Sequence, residues 1–200
     1  MKKYLYGLKQ APRAWYGKND SFLTRLGFTK GKADSNLYFK VMNDELVILL
    51  LYVDDLFLKG EENLITDCKK KLIAKFQMKN LGPMHYFLGL EVWQSTENIF
   101  LNQGKYAVEI LKIFDMLECK SMNTPMETNL KLSIDTSSEL VDATLYRYII
   151  GSLMYLTNTR LDICFALSQY PVEPRRVHIV AAKHMMRYLN DTLDFGLYYT

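Results

Sequence analysis

Leu46-Val47-Ile48-Leu49-Leu50-Leu51-Tyr52-Val53-Asp54-Asp55-Leu56-Phe57-Leu58 is an apolar stretch broken by two adjacent carboxylates. Residues 46–52 are apolar at successive positions, so they read as a strand apolar on both faces and lying inside its sheet. Asp54-Asp55 ends that run, which resumes at Leu56 and stops before Lys59-Gly60. The pattern predicts two antiparallel strands joined by a two-residue acidic tip. An ionised carboxylate taken out of water costs several kcal/mol unless paired, and at a hairpin tip that cost vanishes. Read alone, Asp54-Asp55 is either an ordinary solvated turn or a pair of carboxylates held out to a cation.

Upstream, residues 36–41 are strand-like, and Asn43-Asp44 supplies the turn of a preceding hairpin. Pro12, followed by apolar Ala14, Trp15, Phe22, Leu23 and Leu26, predicts a helix with proline in its first turn, ended by Gly27. Downstream, Leu64, Ile65, Cys68, Leu72 and Phe76 fall on one face of a helix over about residues 63–76. After Gly82-Pro83 come expected strands at 84–93 and 99–101, then a helix at 103–116. Residues 118–139 are rich in Ser, Thr and Asn without apolar period and read as a linker at a subdomain boundary. Helices are expected at 143–156, 160–169 and 175–189, and a strand at 195–199. The fold class is α+β, an antiparallel sheet with flanking helices followed by a mostly helical region.

Composition narrows the function classes. With 200 residues, 49% of them hydrophobic, the chain can bury a core. No apolar run approaches the ~18 residues of a membrane span, and no signal-type segment follows Met1, so an intracellular protein of cytoplasm or nucleus is expected, neither secreted nor in a membrane. Cys68, Cys119 and Cys164 are scattered and odd in number, which gives no disulfide framework; His85, His178 and His184 are equally dispersed, which excludes a zinc spacing. Residues 1–33 carry eight basic side chains against Asp20 alone, +7, whereas residues 34–67 sum to −6. A basic lobe beside an acidic centre suits a polyanion gripped by one and brought, with cations, to the other.

Five blocks then occur in order: Leu5-Tyr6-Gly7-Leu8-Lys9-Gln10-Ala11-Pro12-Arg13-Ala14-Trp15-Tyr16 ahead of Tyr52-Val53-Asp54-Asp55; Phe87-Leu88-Gly89-Leu90-Glu91-Val92; Tyr146-Arg147 with residues 150–157; Thr159-Arg160-Leu161-Asp162-Ile163; and Ala181-Ala182-Lys183 with Arg187-Tyr188-Leu189. Together they resemble the reverse transcriptase of copia-type retrotransposons, the RNA-directed DNA polymerase region of the Pol polyprotein. The resemblance implies a partial polymerase palm at 1–93, a thumb-like helix and linker at 94–139, and a connection-like helical region at 140–200 ahead of an absent RNase H domain. It implies RNA-directed DNA synthesis, with Asp54 and Asp55 as catalytic residues and ligands of two magnesium ions, manganese being the substitute. Those ions would activate a primer 3′-hydroxyl and neutralise the triphosphate. Gly7, Lys9, Gln10, Pro12, Arg13 and Tyr52 would meet template and nucleotide, and Phe87, Leu88, Gly89, Leu90 and Glu91 would grip the primer.

The implied partners are an RNA or DNA template with primer, deoxynucleoside triphosphates, and the rest of the Pol polyprotein or another copy of this chain. Departures from the family pattern bear on activity. The fingers and the preceding strand with a further catalytic aspartate are expected to be missing. Asp20 and Asp34 do not stand at the end of an apolar strand and are no substitutes. Leu161 stands where the family has proline, Ile179 where it has tryptophan, and residues 166–174 are about two residues short. Catalysis by this chain alone is therefore not expected. The alternatives are a non-catalytic remnant that binds nucleic acid weakly and salt-dependently, and a protein-interaction module using the exposed palm edge.

Overall fold

The computed structural model describes residues 11–42, 44–127, 139–168 and 174–200. Helix α1 runs Ala11–Arg25 and ends as its glycine requires: Gly27 takes φ +85, and Phe28 N–H returns to Leu23 O at 3.0 Å. Strands β1 (Thr29–Lys30), β2 (Leu37–Met42), β3 (Glu45–Tyr52) and β4 (Asp55–Lys59) form one antiparallel sheet in that order. Helix α2 (Glu62–Phe76) starts on Glu61, whose carboxylate accepts from Leu64 N–H at 3.0 Å.

Leu23, Phe28, Tyr38, Val47, Leu49, Leu51, Cys68 and Leu72 make the core of this first unit. Strand β3 is central, as its composition predicts, but it alternates. Val47, Leu49 and Leu51 are buried, while Leu46 remains 45% exposed and Ile48 and Leu50 are half-buried. The expectation of two buried faces is corrected: in a pleated strand only one face meets the α1 and α2 layer.

The chain divides into two compact units after Gly82, at the Gly82-Pro83 break. In the second, strands β5 (Tyr86–Phe87), β6 (Leu90–Gln94), β7 (Ile99–Asn102) and β8 (Gly196–Tyr199) form another antiparallel sheet in that order. Residues 84–93 are thus a tight hairpin and not the single strand expected. Leu88 (φ +47) and Gly89 (φ +72) turn the chain so that Phe87 faces Leu90.

Helices α3 (Gly104–Ile113), α4 (Ala143–Leu156), α5 (Cys164–Ser168) and α6 (Arg176–Asp191) pack with one another around Ile110, Leu111, Leu153, Ile163, Met185 and Leu189. The helix expected at 160–169 is instead a 3-10 turn, Leu161–Ile163, leading into the short α5. Helix α3, expected with the 94–139 stretch, shares its core with α4 and α6. Of the expected linker, residues 118–127 lie against that core through Cys119, Met122 and Met126, with Asn190 Nδ2 donating to Leu117 O at 2.9 Å; residues 128–138 lie outside the described ones. The architecture is mixed, with two antiparallel sheets and six α-helices among the described residues. None of those helices is long and apolar enough to cross a membrane.

Candidate functional site

Register decides where the carboxylates stand. Pairing Leu49 with Leu58 and Leu51 with Leu56 leaves Tyr52 opposite Asp55, so the two-residue tip is Val53-Asp54. The expected Asp54-Asp55 tip is corrected by one residue. Asp54 sits in the turn and Asp55 is the first residue of β4, both exposed. Val53 takes φ +47, a region that a β-branched side chain avoids. Its carbonyl accepts from the Trp15 indole N–H of α1 at 2.7 Å, and the Trp15 ring meets Phe76 of α2 edge-on at 5.5 Å. The turn is therefore tied to the helix layer beneath it. Trp15 lies within a motif legible in the sequence, but a tryptophan hydrogen-bonded to the turn 38 positions away leaves no local signal.

Oxygen-only donors suit a hard cation such as magnesium. Among the described residues no further His, Cys, Asp or Glu gathers with Asp54 and Asp55 into a group of three. The two carboxylates could serve as part of such a cation's ligand set, the rest of which the described residues do not gather around them. Tyr52 ends β3 beside them, 38% exposed. Pro12 and Arg13 are exposed in the first turn of α1, whereas Gly7, Lys9 and Gln10 lie outside the described residues.

The two upstream carboxylates, Asp20 and Asp34, are engaged elsewhere. Asp34 Oδ1 accepts from Asn36 N–H at 2.8 Å. Asp20 accepts from the Tyr38 hydroxyl at 2.7 Å and pairs with Lys30 at 3.0 Å, tying α1 to β1 and β2. The Tyr38 hydrogen bond, then the Lys30 ammonium, hold its carboxyl below the usual range.

In the second unit, Phe87, Leu88, Gly89 and Leu90 make up the β5–β6 turn and its flanks, and the Tyr155 hydroxyl of α4 donates to Leu88 O at 2.5 Å. Glu91 points inward. It is 7% exposed, accepts from Lys105 N–H at 2.9 Å and pairs with Lys105 Nζ at 3.1 Å, so its charge lies at the start of α3. Arg160 of the Thr159–Ile163 block is also buried. Its guanidinium donates to both carboxylate oxygens of Asp162 (3.0 and 2.7 Å) and to Thr192 O and Oγ1 (2.9 and 2.7 Å), between the rings of Tyr188 and Phe195. Burial raises the Asp162 carboxyl, but hydrogen bonds from Arg160 and Tyr188 outweigh it and hold the group below the usual range.

Comparison with known proteins identifies the family. The family model described as reverse transcriptase (RNA-dependent DNA polymerase) matches residues 1–128. The retrovirus-related Pol polyprotein from transposon RE1 of Arabidopsis thaliana is 37% identical over 202 residues, covering 99% of this chain and 14% of the polyprotein. That from transposon TNT 1-94 of Nicotiana tabacum is 37% identical over 214 residues, covering 98% of this chain and 16% of its own length. An uncharacterized mitochondrial protein of Arabidopsis thaliana is 42% identical over 154 residues, 75% of this chain and 64% of that protein. No solved structure matches the chain significantly. The chain thus spans about a seventh of the polyproteins that it matches end to end. With the Asp54 and Asp55 hairpin and the ordered motif blocks, these likenesses show that the chain belongs to the reverse transcriptase family of copia-type retrotransposon Pol polyproteins.

Proposed function

We propose that this chain supplies the metal-binding hairpin of an RNA-directed DNA polymerase, and that it polymerises only as part of a longer Pol product. The observation that carries this reading is the Tyr52–Asp55 hairpin: two exposed carboxylates on a turn whose carbonyl is held by Trp15. Asp54 is the main metal ligand, Asp55 the second carboxylate, and Tyr52 the neighbour of the primer end. Bound magnesium would supply Lewis acidity for nucleotidyl transfer from a deoxynucleoside triphosphate. Pro12 and Arg13, with Gly7, Lys9 and Gln10, contact template and nucleotide, Arg13 offering a guanidinium to phosphate. Phe87 to Glu91 grip the primer, the Leu88-Gly89 turn meeting it while Glu91 braces α3 from behind. Residues 1–93 act as palm, 94–139 as thumb-like helix and linker, and 140–200 as connection.

The test is single-nucleotide incorporation on an RNA template with a DNA primer, by the chain alone and by a Pol product that contains it. The chain alone should bind primer–template without extending it, whereas the longer product extends it and loses that activity with Asp54→Asn at unchanged binding. Extension that survives Asp54→Asn overturns the reading.

A second reading has its own support. Arg13, Lys18, Arg25 and Lys32 are exposed on and after α1, a basic surface that would bind nucleic acid without chemistry. Binding that weakens steeply with salt, with no incorporation by any Pol product, decides for it.

A further inference from the structure

We infer that Tyr155 is a positioning residue for the primer-gripping turn: from helix α4 it fixes Leu88 and Gly89 in the conformation that holds the primer end. The inference rests on the polymerase reading above and deepens it.

Backbone pairing holds the flanks of the turn, and Leu88 and Gly89 lie beyond it. Leu88 has φ +47 and Gly89 φ +72, and Leu88 is 49% exposed, so this bulky residue sits in a left-handed conformation without burial to keep it there. An external restraint meets it at two points. The Tyr155 hydroxyl donates to Leu88 O at 2.5 Å, 67 positions along the chain. The Tyr155 ring also lies only 3.1 Å from where a side chain on Gly89 would begin, so the glycine admits the ring as well as the backbone conformation.

Tyr155 is itself braced. Tyr106 of α3 meets its ring edge-on at 4.9 Å, and the Tyr106 hydroxyl donates to Ser152 O at 3.4 Å. The Tyr155 carbonyl accepts from Gln103 Nε2 at 3.3 Å, and Gln103 Oε1 in turn accepts from Thr159 Oγ1 at 2.9 Å. Gln103 and Thr159 are both buried, which anchors the C-terminal end of α4 to the start of α3. Backbone pairing of the β5–β6 hairpin runs from Val92 N–H donating to His85 O at 2.9 Å, through Tyr86 with Glu91, to Phe87 with Leu90, and stops short of Leu88 and Gly89. Its tip therefore follows the tyrosine, and a restraint on one carbonyl becomes a restraint on where a gripped strand ends.

The test uses the Pol product that contains this chain, with Tyr155→Phe as the variant, because it removes one hydroxyl and keeps the ring packed on Gly89 and Tyr106. Amide exchange of the peptide covering residues 86–91 should quicken several-fold while exchange in α4 stays unchanged. The incorporation rate at saturating primer–template should fall about tenfold with primer–template affinity within twofold, since a lost hydrogen bond and a small misplacement act on the reacting geometry more than on binding. Gly89→Ala, which pushes the ring away, should reproduce the same split between rate and affinity. Unchanged exchange at 86–91, or a Tyr155→Phe product that extends primer at the wild-type rate, overturns the positioning role and leaves the polymerase reading standing. A wild-type product that extends no primer removes that reading, and the positioning role with it.

Discussion

Replacing Arg160 by alanine removes a buried, multiply bonded side chain of the second unit. Its guanidinium is 3% exposed and makes four hydrogen bonds, two to Asp162 and two to Thr192. Breaking a buried ion pair by deleting one partner costs about 3–5 kcal/mol, because the surviving charge is left uncompensated. Asp162 keeps a third of its side chain exposed and can take up water, which places the expected loss at the lower end, about 3 kcal/mol. The Thr192 carbonyl loses a donor at the same time, at the foot of the segment that carries β8. Native-state amide exchange read by peptide is the suitable assay, since the chain has two units and no single unfolding free energy describes it. Peptides from α6 and β8 should exchange about 150-fold faster, the rate equivalent of about 3 kcal/mol. Peptides from α1 and α2, whose core shares no residue with that of the second unit, serve as the control in the same sample. Arg160→Lys should recover only part of the protection, since an ammonium cannot reproduce the planar fork. Exchange in α6 and β8 within twofold of wild type in the alanine variant would refute the argument.

Val53→Gly relieves a left-handed conformation that costs an ordinary residue about 1–2 kcal/mol and adds back glycine's larger unfolded-state entropy, so a net gain of about 0.5–1 kcal/mol is expected; a lower urea midpoint by circular dichroism contradicts it. Glu91→Ala takes a buried negative charge from the start of α3 and should destabilise the second unit by about 1–2 kcal/mol, read as faster exchange in α3. Acid should loosen both units. Asp20 and Asp162 have folded pKa values below the ordinary carboxylate value, so their contribution is complete above about pH 4 and is lost as pH falls through the lowered values. In Asp20→Asn, the acid-induced loss of α1 protection should shrink while that of α6 persists.

How much of this was legible depends on whether the signal was local. The β2–β3 hairpin, α1, α2, α4 and α6 follow from apolar period and from Gly27, Asn43-Asp44 and Pro12, because each is set within a few residues. The acidic tip reads one position too far along the chain for a physical reason. Chemistry points to the two carboxylates as the turn, but the register is set by Leu49 and Leu51 meeting Leu58 and Leu56, and that places Val53 in the tip. Phe87 to Val92 reads as one strand because leucine is not a turn residue. Its left-handed conformation goes with a hydrogen bond from a tyrosine 67 positions away, which no window of sequence displays. For the same reason the inward turn of Glu91 was hidden, its partner being the helix that starts after the next strand. The carboxylate pair itself is visible in the sequence, whereas its support by Trp15 is not.

The partnership of β8 with β7 sets an order of events during synthesis. Ile99 pairs with Tyr199 and Asn102 with Gly196, so the second sheet acquires its last strand only when the chain near residue 199 has left the ribosome. The sheet and helices of the first unit are all encoded before Gly82. At about 5–20 residues per second, the interval between the two is of the order of 5–20 s. During that time Ile99, Phe100 and Leu101 pair with β6 on one side only and leave the other edge of β7 open, which is the window in which a nascent copy of this chain is most exposed to chaperones and to strands of its neighbours.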